Sequence, residues 1–371
     1  MIETEEKLQK IALNFLKGMT PELLKTLHEA GRDYRMLFTE KNPERTELFS
    51  ILKIDEAQVK EAMERAKVEL DFMERHSIKM LFVFDDDYPS MLYEITNPPI
   101  TLFYLGDLKL ESAHKVSMVG TRRCTQSGIK FCKDFVGEIA EMFPDLSVVS
   151  GLAYGIDASA HCAALEAGCH TIGIVAHGLD MIYPARHRNL AREILAKGGA
   201  LLTEYPSTTK PYKGRFLERN RIVACLADAV IVVESAVRGG AMSTANTAFS
   251  YSREVFAVPG RITDEVSQGC NLLIMKNKAR LTTGSADFIK EMGWQPQTNK
   301  TGIVQKELFP ELDGDARLIY EYLRNQRKPC STDSIRLATS LSISKILTAL
   351  GELEFDGIVV RLPGSRYETI G

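Results

Sequence analysis

Val116-Ser117-Met118-Val119-Gly120-Thr121-Arg122-Arg123 sets the reading of the whole chain. A short apolar run ends in a glycine, a hydroxyl and two guanidiniums. Near-continuous apolar runs of this length suit parallel strands buried on both faces. Five more follow, at 148–149, 171–176, 200–203, 229–233 and 255–258. Helical stretches lie between them, for example 158–167, 190–196 and 243–251. The alternation predicts an α/β fold with a doubly wound, mostly parallel sheet. Such sheets take ligands at the carboxyl ends of their strands, so the loops there are the first place to look for function.

Outward from this core the composition changes. Residues 1–80 read as a small helical domain with 14 Lys/Arg against 16 Asp/Glu. Thr20 is placed to cap a helix that has Pro21 at its first position. The two short helices around Gly18 resemble a helix-hairpin-helix, which can hold a DNA phosphate. A plain packing hairpin fits better, because a second glycine and flanking basic residues are missing. A longer amphipathic helix is expected near 55–75. Residues 81–110 form a connector rich in turn signals, with Leu102-Phe103-Tyr104-Leu105 as a short strand. Gly293-Trp294-Gln295-Pro296-Gln297-Thr298-Asn299-Lys300-Thr301-Gly302 reads as a linker. Beyond it, 305–371 shows helical stretches near 315–324, 332–338 and 342–355. Ile358-Val359-Val360, a turn at Pro363-Gly364-Ser365, and Tyr367-Glu368-Thr369 complete a winged-helix pattern.

The bulk properties exclude several classes. The chain has 371 residues, 44% hydrophobic and 26% charged, an ordinary globular mixture. Its formal net charge is −3, so any role with nucleic acid needs a local basic surface. Seven scattered Cys form no C-x-x-C and no zinc-finger spacing, which suits thiols in a reducing compartment. The acidic start lacks the apolar core of a signal peptide. No run approaches about 18 uninterrupted apolar residues, so no membrane span is expected. A cytoplasmic protein follows from these features.

The strand ends are rich in anion-competent loops. From His114 to Lys133 there are five Lys/Arg and no Asp/Glu. Gly120 permits close backbone approach, Thr121 offers a hydroxyl, and Arg122 can pair with a phosphate. Ser150-Gly151-Leu152-Ala153-Tyr154-Gly155-Ile156-Asp157 leads into a helix whose first N–H groups can face an anion. It is neither a Rossmann fingerprint nor a Walker A loop. Asp157 and His161, four apart, could form a base pair of groups, but Asp157 suits a helix N-terminus better. From Tyr183 to Arg221 nine Lys/Arg face three Asp/Glu, with Tyr183, Tyr205, Tyr212 and Phe216 interleaved. Positive charge with stacking faces suits single-stranded nucleic acid. Arg219-Asn220-Arg221 is expected to open a helix, with one guanidinium for phosphate and the other for the scaffold. Arg238-Gly239-Gly240 is a further small-residue loop after Glu234. No zinc set, nucleophile elbow or acidic pair for Mg²⁺ is evident, so neither a metal nor a cofactor is expected.

Here the chain resembles the DprA (Smf) family, the bacterial DNA-processing proteins of natural transformation. Residues 95–295 carry the likeness. Besides the loops quoted, it rests on Gly178-Leu179-Asp180, Tyr183-Pro184, Thr203-Glu204-Tyr205-Pro206, Val232-Val233-Glu234, Val255-Phe256-Ala257-Val258-Pro259-Gly260 and Gly269-Cys270-Asn271-Leu272-Leu273-Ile274. The resemblance implies an extended Rossmann fold over 81–295 that binds and protects single-stranded DNA. It also implies a homodimer that helps load the RecA recombinase, with no catalysis. The DNA contacts it implies are Gly120, Thr121, Arg122, Ser150, Gly151, Arg186, Arg188, Arg219, Asn220, Arg221, Arg238 and Gly240. The dimer or recombinase contacts it implies are Cys270, Asn271, Ile274 and Leu281. The chain departs from the family at Thr121, where serine is usual, and at Tyr154, where Arg or Lys is usual. Ala185 replaces a lysine, Phe216-Leu217 replaces Phe-Pro, and Gly239-Gly240-Ala241 replaces Ser-Gly-Ser. Two rival readings stand beside this one. One is a Rossmann-like nucleotide or phosphoribosyl hydrolase, whose Pro-Gly-Gly-x-Gly-Thr signature is absent. The other makes the winged helix a duplex-binding regulator, for which Arg336 and Lys345 are thin; an interaction module fits that segment better.

Overall fold

A computed structural model describes residues 2–39, 43–296, 314–326, 329–362 and 366–369. The chain divides into two compact units, one ending at residue 297 and one beginning at 298.

Nine strands build the sheet of the first unit: β1 (Lys79–Phe82), β2 (Thr101–Gly106), β3 (His114–Val119), β4 (Leu146–Ser150), β5 (His170–Ile174), β6 (Ala200–Thr203), β7 (Ala229–Val232), β8 (Glu254–Ala257) and β9 (Arg280–Leu281). Their spatial order is β1-β2-β6-β5-β4-β3-β7-β8-β9. The pairings from β6 through β9 are parallel, whereas β2 joins β6 and β1 joins β2 antiparallel. All six apolar runs of the sequence are strands of this sheet. After β6 the chain crosses to the far side of β3 to lay down β7, so the direction of winding reverses between β3 and β7. A crevice opens at such a switch point, because the loops after the two strands leave toward opposite faces.

Strand residues alternate between two cores. Val116, Met118, Val148 and Ile231 point into one, which the helices Gln126–Met142 and Ile156–Ala167 cover. Val119, Val149, Ile172 and Val232 point into the other, beneath the helices Lys213–Cys225, Gly240–Ser250 and Glu265–Met275. The N-terminal helices share this second core, through Leu8, Ile11, Leu24, Leu48 and Val59. The helical segment is therefore packed into the same unit as the sheet. Thr20 caps the helix Pro21–Glu29, accepting from the Leu23 N–H at 3.2 Å. Gly18 has φ +87°, and a Cβ there would meet the Leu52 carbonyl at 2.8 Å. The turn thus faces its own chain. Asp55 and Gln58 form a capping box at the start of Glu56–Arg75.

The expected linker begins later than its composition suggests. Gly293 ends the helix Ser285–Met292 in a left-handed conformation. Trp294 then packs edge-on against Phe143 and Phe288, so the burial of its ring keeps it in the first unit. Residues 297–302 of that stretch lie outside the described residues.

The second unit has the helices Gly314–Gln326, Thr332–Thr339 and Ile343–Phe355 with the strands β10 (Cys330–Ser331), β11 (Val359–Leu362) and β12 (Arg366–Thr369), in the order β10-β12-β11. Its core is Ile319, Leu323, Ile335, Ile346, Leu350, Leu353, Val359 and Tyr367. This is a winged helix. The turn expected at Pro363-Gly364-Ser365 lies outside the described residues.

One buried group ties the stability of the first unit to pH. His161 is fully buried, with Nδ1 2.7 Å from the Thr171 hydroxyl. That hydroxyl donates onward to the Val148 carbonyl, so Nδ1 carries the proton and Nε2 has no partner. Burial pulls the imidazole down to about 3 from its usual 6.5, with minor repulsion from His187 and Arg219. The unfolded chain then binds a proton that the folded one refuses. Stability from this group is complete above pH 6.5 and is lost as pH falls from 6.5 toward 3. The expected outcome is a urea midpoint that drops across that window, with a shallower drop in His161→Asn.

Candidate nucleic-acid interface

The crevice at the switch point is a cavity of about 740 Å³. Its walls come from the loops after β3, β4 and β7 and from the helix Lys213–Cys225. Four cations line it, Arg122, Arg123, Lys213 and Arg219, against one carboxylate, Asp157.

The β3 loop is fixed through its backbone. The Thr121 N–H donates to the Glu234 carbonyl at 2.7 Å, and the Thr121 carbonyl accepts from the Ile156 N–H at 3.2 Å. A Cβ on Gly120 would lie 2.4 Å from Ile156 Cγ1 and 2.9 Å from the Glu234 carbonyl, so this position admits only glycine. The Glu234 carboxylate takes the N–H and the hydroxyl of Thr125, at the start of the helix Gln126–Met142. With its backbone held, the loop projects Arg122 outward. Its guanidinium is exposed and lies 5.7 Å from the Phe216 ring centroid. Among the described residues no carboxylate pairs with it. A cation over an aromatic face is held in place without being neutralised.

The β4 loop is held from below. Arg219 is 4% exposed, and its Nη1 donates to the carbonyls of Gly151, at 2.8 Å, and Ile174. Asp157 accepts from the N–H groups of Gly151 at 3.1 Å and Ala153 at 3.4 Å. Burial raises the Asp157 carboxyl and lowers the Arg219 guanidinium, and the opposite charge of each partly offsets this. A Cβ on Gly151 would meet both side chains, at 2.6 and 2.7 Å. His161 turns instead to Thr171, so there is no Asp–His dyad. Above this floor two helices begin without a side-chain cap. Ile156–Ala167 follows Gly155, and Gly240–Ser250 follows Gly239. The Ile156 N–H is already taken by the Thr121 carbonyl, so the start that favours an anion is that of Gly240–Ser250, in the cavity wall.

Of the expected DNA contacts, the fold gathers Gly120, Thr121, Arg122, Gly151, Arg219, Asn220 and Gly240 around the cavity. It does not bring the others there. Ser150 is fully buried, and its hydroxyl donates to the Met118 carbonyl at 2.6 Å. Arg221 forms a bidentate ion pair with Glu204, at 2.6 and 2.7 Å, and donates to the Asn97 carbonyl. The triplet Arg219-Asn220-Arg221 lies inside its helix, which starts at Lys213, so both guanidiniums are engaged by the scaffold. Arg186, Arg188 and Arg238 are exposed outside the cavity. Arg123 and Lys213 line it unforeseen, although both fall in the basic stretches of the sequence. Tyr183, Tyr212 and Phe216 supply aromatic faces, with Tyr183 44% and Tyr212 67% exposed.

The expected partner contacts divide as well. Cys270 is fully buried, with its thiol directed at the Val232 carbonyl. Asn271 pairs with the backbone of Gly260 in both directions, and Ile274 packs on the core. Leu281 is 48% exposed on the edge strand β9.

An extended Rossmann sheet with a basic crevice at its switch point, followed by a winged helix, defines the architecture of the chain. The family model for DNA recombination-mediator protein A matches residues 79–293, and that for the DprA winged helix domain matches 306–365. The chain belongs to the DprA/Smf DNA-processing family. It is 32% identical over 330 residues to Protein Smf of Synechocystis, covering 80% of this chain and 82% of that one. It is 40% identical over 209 residues to the DNA processing protein DprA of Streptococcus pneumoniae, covering 56% and 72%. The X-ray structure of DprA from S. pneumoniae superimposes with a TM-score of 0.63 at 33% identity, over 76% of this chain and 95% of that one. A Helicobacter pylori DNA processing protein A, described for its single-stranded DNA binding mode, superimposes at 0.52 with 32% identity, over 58% and 95%.

The two kinds of arginine should separate on mutation. Arg221→Ala leaves the half-buried Glu204 without its partner, and is expected to cost about 2 kcal/mol in urea unfolding. Arg122→Ala removes an exposed, unpaired cation and should change stability by less than about 0.5 kcal/mol.

Proposed function

We propose that this protein binds single-stranded DNA in the switch-point cavity, protects it, and hands it to the RecA recombinase during DNA uptake and recombination. One observation carries the binding: Arg122 is an unneutralised guanidinium set over an aromatic ring, in the same cavity as the uncapped start of Gly240–Ser250. A phosphate fits the cation and the N–H groups, while an unpaired base can stack on the exposed rings. A duplex keeps its bases stacked inside and cannot use those faces. Arg186 and Arg188 lie exposed beyond Tyr183 and extend the positive track. The family's name, recombination mediator, and the relative described for binding single strands support the same reading. The protein acts by binding: the one carboxylate of the cavity accepts two backbone N–H groups and is not poised as a base. Its place of action is the cytoplasm, where an incoming strand meets the recombinase. Among the described residues no helix is long and apolar enough to cross a membrane.

Equilibrium binding of fluorescent oligo-dT across a salt series tests this, with length-matched duplex as competitor. Affinity is expected to fall with salt at a slope near −0.7 per phosphate contact. Arg122→Ala should weaken binding about tenfold and make the slope shallower by about 0.7. Equal affinity for duplex, or an indifferent Arg122→Ala, would remove the cavity from the reading.

The partner surface we assign to the β9 edge. Leu281 is exposed there, and Met275 and Ile262 on the preceding segments are 71% and 85% exposed. Exposed apolar side chains at a short sheet edge suit a homodimer and the recombinase contact. Leu281→Glu should yield monomers in sedimentation velocity while retaining single-strand binding per chain.

A further inference from the structure

A second cavity, of about 730 Å³, opens at the amino ends of the parallel strands, away from the crevice. Its walls come from Leu81 of β1, Tyr104 of β2, Lys115 at the start of β3, parts of the segments 86–91 and 108–112, and Leu226 just past the helix Lys213–Cys225. None of these residues lines the crevice.

Lys115 forms the floor. The residue is 9% exposed. Its Nζ donates to the carbonyls of Leu110 at 3.1 Å and Ser112 at 2.6 Å. Among the described residues no carboxylate pairs with this ammonium. Asp228 lies nearby, but its carboxylate accepts from the Lys115 backbone N–H at 2.8 Å. An ammonium has three N–H donors, and two are used here. A buried charge without a counter-charge is costly. A ligand carboxylate supplies both the third acceptor and the missing negative charge.

The rest of the cavity has two kinds of surface. Leu81, Met91, Leu108, Leu110 and Leu226 are apolar. Asp86, Asp87 and Glu111 stand exposed at the rim, and none has a cation partner among the described residues. Lys109, the other cation of the cavity, leans to Asp107 at 3.9 Å. A buried cation, an apolar wall and an acidic rim match a ligand of the reverse order: a carboxylate, then apolar side chains, then cations. A peptide that ends in apolar residues after basic ones has this form, and capture of a C-terminal carboxylate is a recurring mode of recognition. A single amino acid would leave most of the volume empty, since pockets of this size take drug-sized ligands.

We propose that this cavity captures the free C-terminus of a partner peptide. The carboxylate sits on Lys115, the apolar last residues lie against Leu110 and Leu226, and upstream Lys or Arg residues meet Asp86, Asp87 and Glu111. The site is separate from the crevice and does not compete with what binds there.

The test is fluorescence anisotropy of the full chain with a fluorescein-labelled peptide, Gly-Lys-Arg-Gly-Leu-Leu, as the free acid and as the C-terminal amide. The free acid should bind about tenfold tighter, the difference that one charge-assisted hydrogen bond makes. Lys115→Met should abolish that preference. It also strips two carbonyls of their donor, so two further variants keep Lys115 in place. Met91→Trp fills the cavity and should weaken the free acid about tenfold. Asp86→Lys/Asp87→Lys, at exposed positions, should weaken it about fivefold and flatten its salt dependence. All three variants should bind oligo-dT as the wild type does. No binding of the free acid, equal binding of acid and amide, displacement by free leucine as effective as by unlabelled peptide, or indifference to Met91→Trp and to the rim reversal would each overturn the proposal.

Discussion

A single buried guanidinium underlies the candidate site. Arg219 reaches from its helix beneath the sheet ends and binds the carbonyls of Gly151 and Ile174, the exits of β4 and β5. Those carbonyls lie at the strand ends, and an unmet buried acceptor is costly. The cation meets them and stands across Gly151 from Asp157, which holds the N–H groups of the same loop. Without this arrangement the loop has no reason to keep its shape, and the helix start above it has no fixed direction. A charge spent in this way is not available to a ligand.

Glu234 does the corresponding work on the other side of the crevice. Its carbonyl accepts from Thr121 and its carboxylate holds Thr125, so β7, the β3 loop and the following helix move as one. The neighbouring Ser235 exchanges backbone hydrogen bonds with Val266 and Gly269, which joins the crevice to the helix Glu265–Met275. Farther out, the buried carboxylate of Glu69 accepts from the N–H and hydroxyl of Ser207 in the loop after β6. Burial raises its pKa against those hydrogen bonds. The N-terminal helices thus brace the crevice loops as well as filling core. With the loops so fixed, Arg122 can stay exposed and unpaired without being mobile at its backbone.

The division of the arginines explains how a chain of net charge −3 presents a positive crevice. Arg219 and Arg221 are engaged by carbonyls and by Glu204, and both contribute to shape. Arg122, Arg123 and Lys213 supply the outward charge. In the winged helix the same economy runs the other way. Its helix Ile343–Phe355 exposes Ile343, Leu347 and Phe355, with Glu352 and Glu354 toward its end.

The positions of the six core strands were legible in residue type alone, because a parallel strand buried on both faces reads as a near-continuous apolar run. Gly120 was read from the sequence as a point of close ligand approach, but the close neighbours of Gly120 and Gly151 are the protein's own Ile156, Glu234, Asp157 and Arg219. The cap at Thr20 is likewise local chemistry, written within four residues. Tertiary structure alone decided which basic residues are free. Arg219, Arg221 and Arg122 are the same side chain, and nothing in their spacing says that Glu204 and Asn97 will meet one of them. The same holds for Ser150 and Cys270, whose polar atoms turn to the carbonyls of Met118 and Val232 on neighbouring strands. Such pairings join positions more than a dozen residues apart, brought together only when the sheet closes, and no local pattern encodes them.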